Sequence, residues 1–135
     1  MKVSPYLYFN DNCSNAITLY EKAFNTKVIA QMMPDEGGGS FVAHAQFEID
    51  GDTIFLCDAE QLVKTGEHNL MITIQFDAED NQELSAAQIA FNTLKDDGEV
   101  IMPLEEAPWS KCFGILIDKF GVKWNMCGGT KQWIQ

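Results

Sequence analysis

Basic residues are scarce in this chain. Nine lysines and arginines stand against 20 aspartates and glutamates, leaving a formal net charge of −11. Nucleic-acid binding needs clustered cations against phosphates, so that class is excluded, and an anionic membrane face is equally unfavourable. The surplus of carboxylates reads as a device for solubility. No apolar run approaches the roughly 20 residues that a membrane-spanning helix needs. The opening Met1-Lys-Val-Ser-Pro5 lacks a basic segment followed by an apolar core, so no secretory leader is expected there. The four cysteines, Cys13, Cys57, Cys112 and Cys127, form no CxxC pair and no zinc-like spacing. Free thiols and a cytoplasmic location are the expectation. Gly37-Gly-Gly39 is followed by no Lys-Ser/Thr and opens no helix, which rules out a phosphate loop. There is no GxGxxG and no nucleophile elbow.

What the chain does have is apolar patterning, written twice. Its 135 residues, 46% of them hydrophobic, are enough for one domain with a core that needs no disulfides. Near the C-terminus, Trp109 to Cys127 holds two apolar runs joined by a turn bearing Asp118 and Gly121, the pattern of a hairpin. Phe47 to Cys57 repeats it around Asp50 and Gly51. Laying Asp50 on Asp118 puts Phe47 on Ile115. Laying Gly51 on Gly121 puts Ile54 on Trp124 and Cys57 on Cys127.

The remaining elements repeat in the same order. Tyr6–Phe9 reads as a strand, and Asn12 is the expected helix N-cap. Ala16, Leu19, Tyr20, Ala23 and Phe24 form a helical stripe that Asn25 can close. Lys27–Met33 is a strand, Pro34–Ser40 a loop, and Phe41–Ile49 with Thr53–Cys57 the first hairpin. After the link from Gln61 to Asn69, Leu70–Phe76 alternates as a strand. Asp80 with Glu83 suggests a capping box. Ala87, Ala90, Phe91 and Leu94 give a second stripe, with Gly98 as its stop and Glu99–Met102 a strand ended by Pro103. Phe9 to Phe76 spans 67 positions and Asp50 to Asp118 spans 68, as an old duplication would leave them. The expectation is an α+β fold: one domain, residues 1–135, of two βαβββ modules, about 1–60 and 69–128. A half with one bare sheet face needs a partner, so the two curved sheets are expected to pair around a cleft. That cleft could form within one chain or across a dimer.

Several of these words resemble one family. Pro5-Tyr-Leu-Tyr-Phe-Asn-Asp-Asn-Cys-Ser-Asn-Ala16, His44-Ala-Gln-Phe-Glu-Ile49, Met102-Pro-Leu104 and the C-terminal Trp109, Phe113-Gly, Asp118, Phe120-Gly-Val and Trp124 are similar to the PhnB-like branch of the vicinal oxygen chelate superfamily. This glyoxalase, bleomycin resistance and extradiol dioxygenase superfamily has the duplicated βαβββ fold. The resemblance implies a single divalent metal, held by His, Glu or Gln on the first and last strand of each module, that chelates substrate oxygens. By position those ligands would be Ser4 (or Pro5), Phe55, Met71 and Asn125. Such a set cannot make an imidazole–carboxylate site. Only two histidines exist, His44 and His68. The resemblance also implies a homodimer, most simply one with twofold symmetry. Some relatives carry a methyltransferase label, to which a short chain without a nucleotide turn gives no physical support.

Strand alternation proposes which residues line the cleft. Leu7 and Phe9 should meet the helix, which leaves Tyr6 and Tyr8 on the other side. His44 and Gln46 should face inward from the third strand, with Cys112 as the repeat's equivalent of His44. Phe55, Cys57, Met71, Thr73, Gln75, Asn125 and Cys127 should also face inward, giving aromatic walls with polar tips. His44 is either a buried histidine bonded to a neighbouring strand or a base, and Cys112 beside it would permit a Cys-His nucleophile. Tyr6 and Tyr8 either fill the cleft or stack on a ligand. Trp109 is a lid or a subunit contact, Trp124 is core, and Trp133 is placed against a partner subunit. Two functions follow. One is metal-free binding of a small molecule by Tyr6, Tyr8, His44, Gln46, Phe55, Met71, Gln75, Trp109, Cys112 and Asn125. The other is a lyase, isomerase or dioxygenase with a rearranged site, such as His44, Gln46 and Gln75 around Zn, Mn, Fe or Ni.

Overall fold

Strand, helix and three further strands occur twice in succession, in the order the repeat predicts. The computed structural model describes residues 1–34, 40–60 and 69–129. Most of the expected 34–40 loop, most of the link with His68, and Trp133 lie outside these. The fold is α+β and divides into two compact units, Met1–Lys64 and Thr65–Gln135.

In the first unit, β1 (Tyr6–Phe9), α1 (Cys13–Phe24), β2 (Ile29–Pro34), β3 (Ser40–Ile49) and β4 (Asp52–Asp58) follow one another. The sheet order is β1-β4-β3-β2, with β1 parallel to β4 and the other pairs antiparallel. Helix α1 buries Cys13, Ala16, Leu19, Tyr20 and Ala23, one stripe at the 3.6-residue period. Tyr20 meets Phe9 and Phe47 with ring centroids 6.3 and 5.8 Å apart, so these two strand residues define the helix side of the sheet. Asn25 ends the helix as expected, in the left-handed region at φ 49°. The N-terminus departs from expectation. Asn12 occupies the N-cap, but its Oδ1 accepts from the Asn10 amide at 3.0 Å and not from the first turn. The Cys13 amide donates instead to Oδ1 of Asp58, at the end of β4, at 2.9 Å. Oδ2 of the same buried carboxylate accepts from the Val42 amide at 2.9 Å. One side chain thus joins helix, β3 and β4.

The second unit comprises β5 (Ile72–Asp77), α2 (Asn81–Leu94), β6 (Glu99–Ala107), β7 (Ser110–Ile117) and β8 (Lys123–Gly129), in the sheet order β5-β8-β7-β6. Here the cap is local: Asp80 Oδ1 accepts from the Gln82 and Glu83 amides at 2.9 and 3.2 Å. Glu83 does not complete the reciprocal box and reaches the Asp77 amide at 3.5 Å. Ala87, Ala90, Phe91 and Leu94 are buried as the stripe predicts. Gly98 is not the helix stop. Asp97 takes the positive φ of 56°, while Gly98 is needed because a Cβ there would lie 2.4 Å from the Ile117 carbonyl oxygen. Nor does Pro103 end its strand. β6 continues to Ala107 as the edge strand, with register shifts on both sides of Met102, where a missing N–H removes no regular ladder bond.

The β7–β8 turn is built on Asp118. Its Oδ1 accepts from the Phe120 and Val122 amides at 2.9 and 3.1 Å, and Oδ2 from the Trp124 indole at 2.9 Å. This turn is longer than Asp50-Gly51, and it shifts the repeat by one position. Ile54 pairs with Phe47, and Trp124 pairs with Leu116. Phe47 therefore corresponds to Leu116, both being buried, and not to Ile115.

Candidate functional site

The sheet face of the first unit that turns away from α1 gathers most of the expected site residues. Alternation from Phe9, Phe47 and Leu56 places Tyr6, Tyr8, His44, Gln46, Phe55 and Cys57 together there. The parallel register sets Tyr6 beside Phe55 and Tyr8 beside Cys57, and β3 brings Gln46 opposite Phe55. Tyr6 stacks on Tyr8 at 5.3 Å and on Phe55 at 5.6 Å between centroids. His44 lies 5.4 Å from Phe55 and 5.7 Å from Tyr6. The Tyr6 hydroxyl is 2.8 Å from His44 Nδ1. With the phenol donating, the neutral imidazole carries its proton on Nε2. Tyr6 remains 40% and Tyr8 54% exposed, so part of this aromatic cluster is accessible.

Burial, and then the neighbouring Cys57 thiol, raise the Tyr6 phenol above its ordinary value. Burial raises Cys57 too, with the Tyr6 hydroxyl opposing it. The phenol and the thiol therefore keep their protons at neutral pH, beside an imidazole nitrogen and an amide on the same face.

Behind this face, burial and then the Asp58 carboxylate push the Cys13 thiol from 9.0 to about 12. The sign follows from linkage: the native state holds this proton more tightly than the unfolded chain does. Its stabilisation is complete below pH 9 and is lost as pH rises towards 12. Stability should fall by roughly 1 kcal/mol over the first pH unit above 9 through this thiol. Urea titrations at pH 8, 9 and 10 should show a shallower decline for Cys13→Ala than for the wild type. Equal slopes would count against the assignment.

In the second unit the face away from α2 carries Thr73, Gln75, Phe113, Ile115, Asn125 and Cys127. Gln75 is exposed, and Met71, just before β5, is 39% exposed. Asn125 is buried, and its Nδ2 donates to the Gly114 and Met126 carbonyls at 2.8 and 3.2 Å. Trp109 is exposed and sets its ring edge-on to Phe113 at 5.4 Å. It borders an open groove of about 300 Å³ with Glu106, Pro108 and Lys111. Trp124 is fully buried, as its alternation predicts.

Cys112 requires a correction. Ser110, Cys112, Gly114 and Leu116 form the buried row of β7, and a Cβ on Gly114 would strike Phe91 of α2 at 2.8 Å. Cys112 therefore lies on the helix side. The residue corresponding to His44 is Phe113, which pairs with Cys127. Burial raises the Cys112 thiol, the opposite of what a nucleophilic thiolate requires. The ring partner of His44 is Tyr6, 38 residues away in sequence, a link that no local pattern reveals. Asp58 was missed for the same reason, although a lone acid ending an apolar strand is a visible signal.

The implied metal was tested against these side chains. Phe55 is committed to ring contacts, Asn125 gives its amide nitrogen to two carbonyls, and Met71 offers only a thioether. Among the described residues no group of three or more His, Cys, Asp or Glu is placed to hold an ion. The donors at the ancestral positions do not fit a divalent metal. No helix of the described residues is long and apolar enough to cross a membrane.

Comparison with known proteins agrees with this architecture. The family profile described as 3-demethylubiquinone-9 3-methyltransferase matches residues 1–127. Protein YjdN of Escherichia coli K12 is 29% identical over 149 positions, covering 98% of this chain and 97% of that protein. The PhnB protein from Bacillus cereus superposes with a TM-score of 0.71 at 27% identity, over 96% of this chain and 100% of that one. Protein PA1353 from Pseudomonas aeruginosa gives a TM-score of 0.81 at 24% identity, covering 97% and 99%. The fosfomycin resistance protein FosX from Listeria monocytogenes, described in complex with Mn(II) and 1S,2S-dihydroxypropylphosphonic acid, shares the fold alone, at a TM-score of 0.59, 16% identity and 98% and 96% coverage. The chain belongs to the family described as 3-demethylubiquinone-9 3-methyltransferase, is similar to the solved PhnB protein, and has the fold seen in FosX.

Proposed function

We propose that this protein binds a compact small molecule on the Tyr6–Tyr8–His44–Phe55 face without using a metal. The observation that carries the reading is the stack of exposed tyrosines with a hydroxyl–imidazole pair at its edge. Apolar walls with a few fixed polar groups are the usual composition of such sites. Gln46 and Cys57 complete this face, and within the second unit Met71, Gln75, Trp109 and Asn125 are separate candidates for ligand contact. A rearranged metal site would have to rest on His44, whose Nδ1 already faces the Tyr6 hydroxyl. A methyltransferase reaction has no supporting nucleotide-binding turn. A twofold homodimer in the cytoplasm completes the reading. The four free, buried thiols suit a reducing compartment.

The test is thermal denaturation against a library of compact aromatic compounds, with Tyr6→Ala as the control. A true ligand at ten times its Kd should stabilise the wild type by about 1.4 kcal/mol and the variant by much less. If no compound shifts the wild type, or if hits act equally on Tyr6→Ala, the reading is wrong. Elemental analysis of protein purified without chelator or tag should find no stoichiometric Zn, Mn, Fe or Ni. One equivalent, lost in His44→Ala, would restore the enzyme alternative.

A further inference from the structure

All nine basic residues of the chain are lysines; it has no arginine. Arginine supplies the planar, bidentate fork that suits phosphonate, phosphate and carboxylate ligands, and lysine replaces it only as a point charge. Lysine is missing where it would matter. The described strand positions on the face away from α1 are Tyr6 and Tyr8 on β1, Ile29 on β2, His44, Gln46 and Glu48 on β3, and Thr53, Phe55 and Cys57 on β4. None of these is a lysine, and the one carboxylate among them is Glu48, which is exposed. An anion would therefore find hydrogen-bond donors there but no lysine or arginine, beside π faces of the wrong polarity and a carboxylate.

From this we infer that the face selects an organic cation carried on a planar ring. The inference rests on the binding role proposed above and adds the sign of the ligand's charge. The negative faces of Tyr6, Tyr8 and Phe55 attract a delocalised or quaternary cation, while stacking takes up the ring itself. The three rings lie side by side, with centroids 5.3 and 5.6 Å apart, and Tyr8 at the end of the row is the more exposed of the two tyrosines. Glu48 at the end of the His44–Gln46 row and the net charge of −11 act in the same direction at longer range.

Equilibrium dialysis at pH 8 and 0.15 M salt with three probes of one shape tests this: N-methylquinolinium, quinoline and a quinoline carboxylate. The wild type should bind the cation about five- to tenfold more tightly than the neutral ring, and the anion weakest. Tyr8→Leu keeps an apolar side chain and the net charge, and should reduce the cation preference to nearly one. Tyr8→Phe should retain it. Because Tyr8 is 54% exposed, these variants should fold, which circular dichroism verifies. Equal binding of cation and neutral ring would overturn the charge inference and leave the binding role standing. So would a preference that survives Tyr8→Leu, because the attraction would then be the protein's general charge. Binding of none of the three would remove both.

Discussion

Replacing Asp58 by alanine should lower the unfolding free energy by about 3–5 kcal/mol, read by urea denaturation at pH 7. The carboxylate accepts two backbone amides, Cys13 and Val42, both at 2.9 Å. It is 4% exposed, so water does not readily replace it. A hydrogen bond to a charged group contributes about 1.5–3 kcal/mol, and an orphaned buried donor carries a desolvation penalty of its own. The loss should also loosen the start of α1 where it meets β3 and β4, the elements that back the tyrosine face. Asp58→Asn retains one acceptor and should lose roughly half as much. A change below about 1 kcal/mol for alanine would mean that both amides find other partners.

Asp118→Ala should be next in size, at about 3 kcal/mol. Two turn amides lose their acceptor, and the Trp124 indole N–H is left in a fully buried site. A double-mutant cycle separates the two effects. If Trp124→Phe removes the orphaned donor, then Asp118→Ala should cost less in that background than in the wild type. Strict additivity would place the whole effect in the turn and contradict the role given to the indole bond. Asp118→Asn should recover part of the loss, since its side-chain oxygen can still accept from the turn.

The elements were legible wherever a period ran uninterrupted. The Ala87–Leu94 stripe, the Tyr6–Phe9 alternation and the order of strands in each half needed nothing beyond residues three, four or two positions apart. Reading failed where the deciding contact was remote or where turn length mattered. Asn12 had the chemistry of a cap, but Asp58, distant in sequence, supplied the bond. Pro103 looked terminal because its tolerance depends on β6 being an edge strand, a property of the assembled sheet. Cys112 was set on the wrong face because the Asp118 turn holds more residues than Asp50-Gly51, and one step of register reverses every side chain. For the site, alternation put Tyr6, Tyr8, His44 and Gln46 on one side, whereas the Tyr6–His44 bond required the parallel pairing that only the folded chain displays.

That parallel pairing has a kinetic side. Strand β1 is four residues long, stands at the edge of its sheet, and joins β4 across nearly the whole first unit, whereas β3 and β4 close through a tight local turn. Loop closure delays such a contact, so β1 is expected to be the last strand of its unit to join and the first to open. It is also the strand that carries both tyrosines. A molecule seated on them would hold β1 in place. Occupancy would then appear as slower amide exchange at Leu7 and Phe9, even where no atom of the ligand touches those residues.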